Sequence, residues 1–106
     1  MIKEKDFEAL FEEIQKMRQL LEILARDALK RELEEYATTV QRRRIWALCN
    51  GLLSTKEIAE KVGVTVRAVQ IFLEELRKAD LVTFVKRGYP RRRFDFVPSE
   101  WKIKME

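Results

Sequence analysis

Apolar residues in the first third of the chain fall at Phe7, Leu10, Ile14, Met17, Leu21, Leu24 and Ala28. These alternating steps of three and four are the seven-residue repeat of a coiled-coil seam. No proline or glycine interrupts residues 1–50, so the pattern predicts one helix of about 30 residues, about 45 Å long. Phe11, Leu20 and Ala25 widen its stripe beyond a strict two-stranded seam. A small domain cannot cover a stripe of that length with its own surface, so a second copy of the chain is the expected partner. The competing arrangement is a monomer whose helix folds back along the rest of the protein, and the helix length weighs against it. Glu13 and Arg18 can pair between parallel chains, but one ion pair leaves parallel and antiparallel both open. After Ala28 the apolar register shifts to Leu29, Leu33, Tyr36 and Val40, a stutter that turns the far end of the helix toward the body of the protein.

The periodicity changes after Asn50. Ser54-Thr55-Lys56-Glu57 reads as a capping box, so a helix starts at Thr55 with Ile58, Ala59 and Val62 on its inner face. Small Ala59 lets a second helix cross close by. Gly63 ends the first helix in the left-handed conformation that glycine adopts without steric cost. Val64 is expected as a buried turn residue and Thr65 as the N-cap of a second helix, about 65–79. Val66, Val69, Phe72, Leu73 and Leu76 form its inward face, while Thr65, Arg67, Ala68 and Gln70 begin its outward face, with Ile71 and Glu74 further along.

Leu81 to Lys86 and Phe94 to Val97 are short runs rich in valine, phenylalanine and threonine, which predicts a β-hairpin. Its expected tip is Arg87-Gly88-Tyr89-Pro90 followed by three arginines. Lys86, Arg87, Arg91, Arg92 and Arg93 then crowd one turn with positive charge, which is costly unless an anion lies opposite. Tyr89 adds a flat ring suited to sugar or base. Charge on an edge strand also blocks sheet-to-sheet pairing, but one or two lysines suffice for that. The tail, Trp101-Lys102-Ile103-Lys104-Met105, alternates apolar and basic residues in the manner of a strand, either extending the hairpin sheet or clasping a second subunit.

Charge divides the chain in the same places. Residues 1–36 carry seven Lys/Arg and ten Asp/Glu, net −3, whereas residues 37–106 carry fifteen and eight, net +7. No apolar run approaches the ~20 residues of a membrane span and the charged N-terminus lacks a signal-peptide core, which suggests a cytoplasmic protein without membrane contact. The chain has no histidine and one cysteine, Cys49. Common zinc sites and histidine-based catalysis are therefore excluded, and no glycine-rich loop is present to cradle phosphates, so neither enzyme activity, metal nor cofactor is expected. Cys49 lies on an apolar helix face and reads as a small buried hydrophobe.

The order helix, short Leu52-Leu53 strand, helix, turn, helix and basic hairpin, over about Thr39 to Pro98, resembles the winged helix-turn-helix domain of bacterial and archaeal transcription regulators. The resemblance rests on Ser54-Thr55-Lys56-Glu57-Ile58-Ala59 through Gly63 to Phe72 and on the hairpin carrying Lys86 to Arg93. It implies a mainly α fold with a small β-hairpin: a long coiled-coil-like dimerisation helix at 1–37, a DNA-binding domain at 38–98 and a tail at 99–106. It further implies that the second helix enters the major groove of double-stranded DNA with its N-terminal residues at base edges. Thr65, Arg67, Ala68, Gln70 and Ile71 are then the base-reading candidates, with arginine suited to guanine and glutamine to adenine. Ile71 either touches a thymine methyl or packs under a neighbouring element. Lys86, Arg87, Tyr89, Arg91, Arg92 and Arg93 form the wing on phosphates or the minor groove. Arg42, Arg43 and Arg44 either touch flanking phosphates or form a solvated face, and Trp46 reads as core or interface. The implied protein is a homodimeric regulator, a repressor occupying an inverted-repeat operator, and no small-molecule effector is evident. The alternative is a non-enzymatic assembly module whose winged domain makes nonspecific nucleic-acid or protein contacts.

Overall fold

The computed structural model describes residues 3–103. Its elements are α1 (Glu4–Tyr36), α2 (Val40–Leu48), α3 (Thr55–Val62), α4 (Val66–Lys78), β1 (Val82–Lys86), β2 (Tyr89–Arg92) and a 3-10 turn at Ser99–Trp101. The fold is mainly helical, with a long N-terminal helix and one two-stranded antiparallel hairpin. The chain divides into two compact units, Met1–Glu32 and Leu33–Glu106.

The first unit is helical from Glu4 onward, and its side chains from residue 3 to 28 are all exposed. The helix runs to Tyr36 and does not continue to Val40. Thr39 breaks it by adopting an extended backbone and accepting a hydrogen bond from the Arg42 amide at 3.1 Å through Oγ1, which caps α2 instead. Val40, expected on the apolar face, is 66% exposed as the first residue of α2. Leu33 and Ala37 are buried in the core of the second unit.

In the second unit the local signals act as their chemistry dictates. Ser54 Oγ accepts from the Glu57 amide and Glu57 Oε1 accepts from the Ser54 amide, both at 3.1 Å. Gly63 sits at φ 83° and its amide donates to the Ala59 carbonyl, closing α3. Thr65 Oγ1 accepts from the Ala68 amide at 3.1 Å and opens α4. The helices α2, α3 and α4 close over Ile45, Trp46, Ile58, Val69, Phe72 and Leu76, each 2% exposed or less. Val66 departs from the expected inward face, being 38% exposed in the first turn of α4, and Val64 is half-buried against the core. Trp46 is core: its indole Nε1 donates to the Phe96 carbonyl at 2.8 Å, fixing the segment after the hairpin against α2.

The hairpin register differs from expectation. β1 and β2 are joined by Arg87-Gly88 alone, with Gly88 at φ 83°, so the second strand begins at once with Tyr89. Tyr89 and the three arginines therefore belong to the strand and its exit, not to the tip. Phe94 to Val97 form no strand; Phe96 turns back on Phe94, and Phe96 and Val97 pack on the core. Leu52-Leu53 likewise form no strand, because the Leu52 amide is taken by Asn50 Oδ1 at 2.9 Å. Asn50 alone bridges to Arg91. Of the tail, Ser99–Trp101 form a 3-10 turn in place of a strand, with Trp101 against the core; Lys104 and Met105 lie outside the described residues.

Cys49 is fully buried, with its thiol donating to the Ile45 carbonyl at 3.2 Å. Burial pushes this thiol from its ordinary 9.0 up to about 12, with the Arg92 charge opposing. The neutral thiol is thus the folded form, and stability is lost as pH rises through the unfolded value of about 9 toward 12. Between pH 8 and 10 the wild type should lose ~1.4 kcal/mol more than Cys49→Ala. Urea unfolding of both proteins at each pH measures the difference, and equal losses would contradict the burial.

Candidate nucleic-acid interface

The outer face of α4 follows from the period of the helix. With Val69, Phe72, Leu73 and Leu76 buried, the intervening Arg67, Ala68, Gln70 and Ile71 must point away from the core, and all four are exposed, as is the N-cap Thr65. Arg67, Gln70, Ile71, Glu74, Glu75 and Lys78 line a shallow open groove of about 330 Å³. Ile71 is 46% exposed and so packs under no neighbouring element of the described chain. The acidic residues at the far end of this face are held within the protein. Glu74 bonds to Arg77, which keeps its carboxyl below the usual range, and Glu75 pairs with Arg42 at 2.9 Å. Arg67 has no such partner among the described residues, leaving its guanidinium available at the N-terminal half of the helix.

The second strand of the hairpin is bonded on both sides. β2 pairs with β1 on one side, and on the other its residues bond to the segment between α2 and α3. The Arg92 amide donates to the Cys49 carbonyl, and the Pro90 carbonyl accepts from the Gly51 amide, both at 2.9 Å. At the turn, the Gly88 carbonyl accepts from the Thr55 amide at 2.9 Å and from Thr55 Oγ1 at 3.2 Å. The turn residue Gly88 is therefore held at the first residue of α3.

The candidate cations have separate fates. Arg87 and Arg91 are exposed and unpaired among the described residues. Arg91 and Arg93 share a half-open groove of about 490 Å³ with Asn50, Thr83 and Val85. Arg93 is exposed, 3.5 Å from the Asp80 carboxylate. Lys86 lies over the Tyr89 ring at 4.2 Å, so that pair presents a cation and an aromatic face together. Arg92 departs from the expected outward cluster. Its side chain is 8% exposed, its Nη1 donates to the Trp46 carbonyl at 3.1 Å and to that of Ala47, and its Nη2 meets Asp95 at 2.8 Å. Four of the five cations therefore face solvent, not five. The two-residue period of a strand carried this signal: of three consecutive arginines, the middle one points opposite to its neighbours.

Arg42 and Arg43 are also engaged internally. Arg42 donates to the Tyr36 carbonyl at 2.9 Å and covers the Phe72 ring at 5.0 Å; Arg43 donates to the Ala37 carbonyl at 3.3 Å and covers the Trp101 ring at 5.3 Å. Neither is a freely solvated side chain, and Arg44 alone of the three is exposed. Sequence reasoning missed these roles because the partners are the carbonyls just before α2 and aromatic rings distant in sequence.

On stability, Arg92→Ala should cost about 1–3 kcal/mol, since it leaves the part-buried Ala47 carbonyl unpaired while the Trp46 carbonyl keeps the Cys49 amide. Arg91→Ala should stay within about 0.5 kcal/mol of wild type. Equal urea midpoints for the two variants would remove the internal role of Arg92.

Among the described residues no helix is long and apolar enough to cross a membrane. No protein-family model, no curated protein and no solved structure matches this chain.

Proposed function

We propose that this protein is a homodimeric, sequence-specific DNA-binding regulator of the winged helix-turn-helix type. In this reading α3 and α4 are the helix pair, α4 is the recognition helix, the hairpin is the wing, and α1 joins two copies. The observation that carries it is the pairing of exposed, unengaged Arg67 and Gln70 at the start of α4 with the solvent-facing Arg87 and Arg91 of a hairpin fastened to α3. Arginine and glutamine present the donor and acceptor sets that read guanine and adenine in the major groove. Unpaired guanidinium groups nearby supply the sequence-independent attraction to phosphate. Arg92 drops out of the wing contacts, while Lys86 with Tyr89, and Arg93, remain in them. Regulation by operator occupancy needs no catalytic group, and a repressor in the cytoplasm is the simplest form.

Selection of sites from random duplex DNA at near-physiological salt tests this directly, because nonspecific binding falls steeply with salt while base contacts persist. Recovery of a two-fold-related motif supports the regulator; recovery of no motif moves the assignment to an assembly module with nonspecific contacts. On the selected site, Arg67→Ala should cost about 1–3 kcal/mol and relax preference at one base position. Uniform weakening on every sequence would sink the base-reading role. Arg91→Ala should lower the slope of log affinity against log salt by about 1 without changing the motif. An unchanged slope would show that the hairpin never meets phosphate.

A further inference from the structure

The part of α1 in the first unit carries an apolar stripe that the described chain leaves bare. Phe7, Leu10, Ile14, Met17, Leu21 and Leu24 are each 50–74% exposed. The stripe is about 26 Å long at 1.5 Å per residue, and its midpoint falls between Gln15 and Lys16. A continuous apolar strip of this kind on a water-facing helix marks a contact surface. Its three-four spacing is the one by which two copies of a helix interlock.

The charge of the helix changes sign at the same midpoint. Residues 4–15 hold five carboxylates and one lysine, net −4, while residues 16–27 hold three cations and two carboxylates, net +1. We propose that α1 is covered by α1 of a second copy running antiparallel, with Phe7 opposite Leu24, Leu10 opposite Leu21 and Ile14 opposite Met17. This rests on the dimeric reading above and adds its direction.

Apolar burial does not choose the direction, because the same six side chains line the seam either way. Electrostatics does. Side by side at about 10 Å, parallel helices set −4 against −4 and +1 against +1, at a separation comparable with the screening length of physiological salt. Antiparallel helices set −4 against +1 twice. The parallel form offers an exposed Glu13–Arg18 pair on each side, but Arg18 already lies 3.5 Å from Glu22 in its own helix, and exposed pairs contribute little. Antiparallel pairing also sends the two chains out of opposite ends of the helix pair, with their residues 32 about 50 Å apart along its axis, where parallel pairing leaves them side by side.

Spin labels on the full chain in a Cys49→Ala background read the direction. Labels at Lys5→Cys should lie roughly 35 Å apart in the antiparallel dimer, and labels at Gln19→Cys roughly 20 Å. Short distances at both positions would overturn the direction and leave the dimer standing. A monomer by sedimentation at micromolar concentration would overturn both, while the site selection above judges DNA reading separately. The wild-type chain gives a check free of substitutions. Raising salt from about 0.05 to 0.3 M should weaken antiparallel association about threefold or more, by screening attraction. Unchanged or tighter association would overturn the proposal.

Discussion

A single guanidinium holds the second unit in its arrangement. Arg92 leaves β2 and ends at the C-terminus of α2, where it donates to the Ala47 carbonyl and joins the Cys49 amide in donating to the Trp46 carbonyl. The last turn of a helix is the negative end of its dipole, so a fixed cation there meets both the hydrogen-bonding need and the field. The carboxylate of Asp95 accepts from the remaining side of the group. Because the Arg92 amide also bonds to the Cys49 carbonyl, side chain and backbone of one residue lock the hairpin to α2. Trp46, whose indole holds Phe96, belongs to the same junction. The position of β2, and through it of the whole hairpin, follows from this contact.

Two runs of three arginines illustrate how secondary structure sorts like charges. On α2, consecutive residues point about 100° apart, so Arg42 and Arg43 reach back to the carbonyls at the end of α1 while Arg44 faces water. At β2, neighbours point to opposite faces, so Arg92 turns inward while Arg91 and Arg93 stay out. Runs that look like patches of equal cations are thus divided between holding the fold together and presenting charge to solvent. Net charge per segment overstates what a partner meets.

What the sequence makes legible is what a few adjacent residues decide. The Ser54–Glu57 box, the left-handed Gly63, the Thr65 cap and the buried face of α4 each depend on neighbours within one or two turns. Burial of Trp46 and Cys49 was readable from their place among apolar residues. The hairpin register was not, because Arg87-Gly88 makes a two-residue turn only if β2 finds its second partner in the 49–51 segment, some 40 residues away in sequence. Phe94 to Val97 have strand composition, yet their role is set by the indole of Trp46, and no local rule reaches that far. The long helix was expected to end at 37 and ends at Tyr36, but the cap that Thr39 gives α2 was hidden, since threonine is tolerated in helices until a nearby amide competes for its hydroxyl. Of the candidate interface, the outer face of α4 was legible apart from exposed Val66 and the open choice at Ile71, and the hairpin charges only in part.

The bond between Thr55 and the Gly88 carbonyl has a further consequence. A two-stranded hairpin alone is marginally stable in water and its turn samples many conformations. Here both the amide and the hydroxyl of one residue hold the turn, so its conformational entropy is surrendered when the chain folds. A surface already ordered has less freedom to lose on meeting a partner, so more of the contact energy remains as affinity. It also presents its charges at a fixed spacing from the start of α3, which favours partners whose own charges repeat at a matching interval.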